Sequence, residues 1–129
     1  MLLPTGLILV VKHKDKYGAV QAIDQSGKDR GAFIKYVWWY QPNGTGTFLD
    51  KDVQNNFSVT KEDYPGQSPM LEIGPIKLQW SMGGEGRGWV YFGPEVSGST
   101  EYELAVTRLI DITKVDATKI ELMCHPKFK

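Results

Sequence analysis

The segment GAFIKYVWWYQ, Gly31 to Gln41, decides the fold. It gathers Phe33, Tyr36, Trp38, Trp39 and Tyr40 around Lys35 and runs directly into the turn Pro42-Asn43-Gly44. Aromatic and β-branched residues suit a pleated, half-buried surface. Side chains alternate across a strand. Ile34, Tyr36, Trp38 and Tyr40 therefore share one face, and Phe33, Lys35, Val37, Trp39 and Gln41 share the other. With the first face in a core, Trp39 stands on the outside, where a large aromatic calls for a partner.

The neighbouring segments also read as strands. Leu7 to His13 and Tyr17 to Ile23 are strand-like runs joined by Lys14-Asp15-Lys16, a short hairpin connection. The apolar opening MLLPTGLILVV is read as a first strand, interrupted early by Pro4 and Gly6. Asp24 to Arg30 is a polar turn. The stretch from about 42 to 69 is loop-rich, with two short strand candidates inside it, Thr47 to Leu49 and Phe57 to Thr60. Pro75 to Ser81 alternates cleanly: Ile76, Leu78 and Trp80 face one way, Lys77, Gln79 and Ser81 the other. Trp89 to Phe92 follows a glycine-rich loop. Glu101 to Ile110 alternates again, with Tyr102, Leu104, Val106 and Ile110 on its apolar side. Asp111 to Ala117 reads as one helical turn, and Thr118 to Cys124 as a last strand with Ile120, Leu122 and Cys124 inward.

This pattern predicts one all-β domain spanning residues 1–129. About eight to ten short antiparallel strands would form a β-sandwich or a partly closed β-barrel, with at most one short helical turn. No internal repeat and no second domain is read from the sequence. A chain of 129 residues with 41% hydrophobic and 23% charged content can bury a core without disulfides or metals. The single cysteine, Cys124, excludes an intramolecular disulfide. The opening lacks a basic n-region and a cleavage site, so the expected location is cytoplasmic, or secreted if a longer chain has been truncated.

Fifteen basic and fifteen acidic residues cancel, which removes the electrostatic footprint of a nucleic-acid binder. The cluster Lys12, His13, Lys14, Lys16 is read as a solvated hairpin tip. No apolar run reaches the length of a membrane span. The loop Gly83-Gly84-Glu85-Gly86-Arg87-Gly88 invites a phosphate-binding reading. Such motifs open a helix whose N-terminus holds the anion, whereas Trp89-Val90-Tyr91-Phe92 is a strand. His13 and His125 lie at opposite ends with no zinc-type spacing. Asn43, Asp50, Asp52, Asn55 and Asn56 lack the calcium-loop pattern. Neither a metal nor a cofactor is expected.

No catalytic constellation is present, so the leading expectation is a non-enzymatic binding or interaction domain. Its surface would use Trp39, with Arg87, Trp89 and Tyr91 from the glycine hairpin, because Tyr and Trp dominate interface hot spots. A protein partner or a second copy is favoured over a small ligand or glycan, with no nucleic acid and no membrane. A second reading is a ligand-holding barrel or sandwich lined by Tyr36, Trp38, Tyr40 and Trp80. A third is an enzyme pairing His13 or His125 with a carboxylate.

Overall fold

A computed structural model describes residues 2–26, 32–61, 69–82, 88–91 and 102–124. The strands are β1 (Leu2–Leu3), β2 (Ile8–His13), β3 (Lys16–Ser26), β4 (Phe33–Gln41), β5 (Gln54–Lys61), β6 (Met70–Ile73), β7 (Ile76–Met82), β8 (Gly88–Tyr91), β9 (Tyr102–Val106) and β10 (Met123–Cys124). They form a four-stranded sheet in the order β1-β8-β7-β6 and a six-stranded sheet in the order β10-β9-β2-β3-β4-β5. Each pairing is antiparallel. The all-β prediction holds. No closed barrel is present among the described residues, because the two sheets remain separate ladders. No described helix is long and apolar enough to cross a membrane.

The two sheets bury a common core. Leu3, Leu71, Ile73, Ile76, Leu78 and Trp80 from the smaller sheet meet Leu9, Val11, Val20, Ile34, Tyr36, Tyr40 and Leu104 from the larger. Alternation along β4 falls as predicted, with Ile34, Tyr36 and Tyr40 buried and Trp38 packed against the same cluster. Along β7, Ile76, Leu78 and Trp80 are buried as expected, but Gln79 is buried as well.

The sheets approach closely at Gly18. A Cβ there would lie 2.8 Å from Ile73 Cγ2 and 3.3 Å from Ile76 Cδ1. These isoleucines flank the β6–β7 hairpin, whose Gly74 has φ +60°. A glycine at the first central position is what a tight two-residue hairpin of this kind requires.

The six-stranded sheet has a second apolar cluster on its opposite face. Ile8, Val10, Tyr17 and Ala19 are covered there by Phe48, Val115 and Ala117, with Trp39, Val53, Ile112, Ile120 and Leu122 packed around them. The cover comes from two loops, 42–53 and 107–122. Strand β2 shows the consequence: Ile8, Leu9, Val10 and Val11 are all fully buried. A strand covered on both faces needs an uninterrupted apolar run rather than alternation.

Several expectations need correction. The opening run is two strands in different sheets, because the turn at Pro4–Gly6 carries the chain from β1 to β2. The brief candidate Phe57 to Thr60 is an eight-residue strand, β5. Thr47 to Leu49 is not a strand. Ile110 lies beyond the end of β9 and is exposed. The segment Thr118 to Cys124 is strand only at Met123–Cys124.

Two short 3-10 turns replace the single helical turn, at Ile112–Lys114 and Ala117–Lys119. They reveal a tandem repeat that the sequence reading missed: Asp111-Ile-Thr-Lys-Val, then Asp116-Ala-Thr-Lys-Ile. In each unit the aspartate accepts hydrogen bonds from the threonine N–H at 3.0 Å and its hydroxyl at 2.7 Å. This is side-chain capping of a helical turn, which aspartate performs well. The apolar residue closing each unit, Val115 or Ile120, packs into the second cluster.

Candidate interaction surface at the open edge of the six-stranded sheet

The outer edges of the two sheets differ in length. β1 and β10 have two residues each, and β6 has four. Short edge strands are one way proteins avoid unwanted pairing. β5 has eight residues, and among the described residues it pairs only with β4. It contains no proline, its ladder with β4 is regular, and its only charged residue is Lys61 at the far end.

The register assigns the two faces of β5. Gln54, Asn56, Ser58 and Thr60 lie opposite Tyr40, Trp38, Tyr36 and Ile34, on the side facing the smaller sheet. Two of them anchor indoles: Trp38 Nε1 donates to Ser58 Oγ at 3.1 Å, and Trp80 Nε1 donates to Thr60 Oγ1 at 3.0 Å. The second bond joins the two sheets. So does Tyr36, whose hydroxyl donates to the Glu72 carbonyl at 3.1 Å and accepts from the Glu72 N–H at 3.0 Å. Burial raises the Tyr36 phenol above its ordinary range, against the opposing effect of hydrogen bonds to the Glu72 backbone and Ser58. Beside these residues is a cleft of about 480 Å³, lined by Tyr36, Ser58, Val59, Thr60, Lys61, Met70 and Glu72. It lies between the edge strands β5 and β6.

Phe57 and Val59 project from the other face and are 53% and 44% exposed. Val37 and Lys35 are their cross-strand neighbours on β4. The Lys35 ammonium lies over the Phe33 ring at 5.6 Å, whereas Phe57 is exposed. The Phe57 N–H donates to the Asn56 side-chain oxygen at 2.8 Å. That places it away from β4. By alternation, the backbone N–H and C=O groups of Asn55, Phe57, Val59 and Lys61 face the open edge.

Trp39 occupies the same sheet face as Phe57, as alternation predicted, but that face is not bare around it. Trp39 is half-buried and packs against the second cluster. Trp89 and Tyr91 lie on β8, in the other sheet; their side chains, and all of Arg87, lie outside the described residues. Trp39 is therefore not on a sheet shared with the glycine hairpin. Phe57 and Val59 were missed because Asn55-Asn56 reads as turn chemistry.

The remaining candidates have local explanations. Gln41 is fully buried; its amide donates to Thr47 O at 2.7 Å and Asp50 Oδ1 at 3.1 Å, and its carbonyl accepts from Asn43 N at 2.9 Å. The Asn43 amide in turn donates to Asp50 and Asp52. These bonds fold the 42–53 loop. The described residues hold no group of three or more His, Cys, Asp or Glu able to bind a metal. His13 stacks on Tyr102 at 4.3 Å, and its buried Nδ1 has no hydrogen-bond partner among the described residues. Among the described residues the ion pair present is Lys16–Asp15, at the hairpin tip; His13 has no carboxylate partner. His125 lies outside the described residues. Comparison with protein-family models, curated proteins and solved structures finds no match for this chain.

Proposed function

We propose that this is a non-enzymatic interaction domain whose binding surface is the open edge of β5 together with Phe57 and Val59. One observation carries the proposal: three sheet edges are two to four residues long, while β5 leaves an eight-residue edge unpaired among the described residues. Such an edge is a ready template for another strand. Main-chain bonds would supply affinity and the exposed side chains would supply selectivity. Trp39 lies on the same sheet face, half-buried against the second cluster rather than on the open edge.

The test is selection of a displayed library of extended peptides on the wild-type domain, with Phe57→Glu/Val59→Glu as the counter-target. The proposal expects peptides of alternating apolar pattern that bind the first and not the second. Binders indifferent to the substitutions, or none, would refute it.

The β5–β6 cleft favours a second reading, a small polar ligand held among Tyr36, Ser58, Thr60, Lys61 and Glu72. A thermal-shift screen with soluble glycans tests it. Ligand at ~100 times its dissociation constant should add about 2.7 kcal/mol.

A further inference from the structure

We infer that two copies of this chain associate by antiparallel pairing of β5 with β5 about a two-fold axis through Ser58. The inference rests on the reading of β5 as the interaction edge and adds the partner and the register.

In an antiparallel pair, residues directly opposite each other share a face. A two-fold pairing must therefore place residues of the same parity opposite one another. Centring it on Ser58 puts Phe57 opposite Val59 of the second copy, and Val59 opposite its Phe57. Asn55 then meets Lys61, and Asn56 meets Thr60. Aromatic and β-branched residues form a favourable cross-strand pair, and here the pair occurs twice.

Charge agrees with this register. Lys61 is the only charged residue of β5, and its counterpart is the neutral Asn55, so no like charges are opposed. The whole chain carries a formal net charge of +0, so two copies approach without long-range repulsion.

Backbone direction agrees as well. The Phe57 N–H points away from β4, so Phe57 and Val59 would be the hydrogen-bonded partners of the new ladder. Asn56 Oδ1, which holds the Phe57 N–H at 2.8 Å in the single chain, would be displaced by a backbone carbonyl. Pairing in this way joins two six-stranded sheets edge to edge. The exposed Phe57 and Val59 would then sit in one apolar row with Val37.

The experiment is sedimentation equilibrium on the full chain from micromolar to millimolar concentration, with two variants. The wild-type mass should rise toward twice that of one chain. Phe57→Glu/Val59→Glu opposes introduced carboxylates at both sites and should stay at single-chain mass. Phe57→Lys/Val59→Glu opposes lysine to glutamate across the axis and should regain the doubled mass. Both positions are substantially exposed, so circular dichroism melts should remain close to wild type at dilutions where the wild type is a single chain.

A wild-type chain that keeps single-chain mass throughout overturns the inference without any variant. So does a dimer that survives the double glutamate substitution. A dimer lost in the first variant and not regained in the second overturns the register. If the wild type is monomeric yet selects peptides sensitive to Phe57→Glu/Val59→Glu, the second copy is ruled out while the edge reading stands.

Discussion

Gly18→Ala tests how the two sheets meet. Gly18 lies opposite Val11 on one neighbouring strand and Tyr40 on the other. The β6–β7 hairpin packs onto that row: Ile73 and Ile76 sit over Gly18, and Gly74 sits over Tyr40. A Cβ at Gly18 would stand 2.8 Å from Ile73 Cγ2 and 3.2 Å from Val11 Cγ1. The clashing atoms are methyl groups, so the side chains can shift, but the layer must open by a few tenths of an ångström. Overpacking of this kind costs about 1–3 kcal/mol. Replacing glycine inside a strand returns roughly 0.5–1 kcal/mol of backbone entropy. The expected net loss is about 1–2 kcal/mol. For a chain of this length it appears as a fall of roughly 3–10 °C in Tm. The assay is chemical denaturation with a double-mutant cycle against Ile73→Ala. Removing the Ile73 methyls should relieve most of the Gly18→Ala cost, giving a coupling on the order of 1 kcal/mol. An alanine that stabilises the protein, or a cycle that closes additively, would refute the close approach.

Further predictions concern the loops over the second face. Gly46→Ala places a Cβ 2.7 Å from Asp116 Oδ1 and 2.8 Å from the Thr118 backbone nitrogen; backbone yields less readily than a methyl, so a loss of about 2–3 kcal/mol is expected. Because Ala117 N–H donates to Gly46 O at 2.7 Å, tryptophan emission should shift to the red as the cover over Trp39 loosens. Gln41→Leu leaves the Asn43 N–H and the Thr47 carbonyl without their partner and should cost about 1–3 kcal/mol by urea denaturation. The Thr113 and Thr118 hydroxyls and N–H groups hold the Asp111 and Asp116 carboxyls below their ordinary 3.8. The stability these groups contribute is present above that value and is lost as pH falls through the lowered ones. Urea midpoints for the wild type should therefore drop more steeply below about pH 4 than those of Asp111→Asn/Asp116→Asn.

The sequence showed some levels of this structure clearly and others poorly. β4 was readable because its aromatics sit at period two and its inner face is a single core. β7 was readable for the same reason, apart from Gln79. The second apolar layer was harder, because Phe48 and Val115 come from loops far apart in the chain and neither shows a period. One signal was present: Ile8-Leu9-Val10-Val11, an unbroken apolar run, already implied cover on both faces. That run bears on Trp39, whose outward direction was predicted and whose partial cover was not. Only the Phe57 to Thr60 part of β5 was readable, because Asn55 and Asn56 have a local preference for turns that is outweighed by pairing along β4. The site was missed for the same reason.

Amide hydrogen exchange along β5, measured by NMR across a concentration series, tests the central claim that this edge is used for pairing. The account predicts that Asn56, Ser58 and Thr60, which face β4, are protected at every concentration. The amides of Phe57, Val59 and Lys61 should exchange fast when dilute and slow as the protein is concentrated. If those amides stay fast at every concentration while the rest of the domain remains protected, β5 does not pair with a second copy. If all of them are slow at the lowest concentration, the edge is already covered within one chain and the account is wrong.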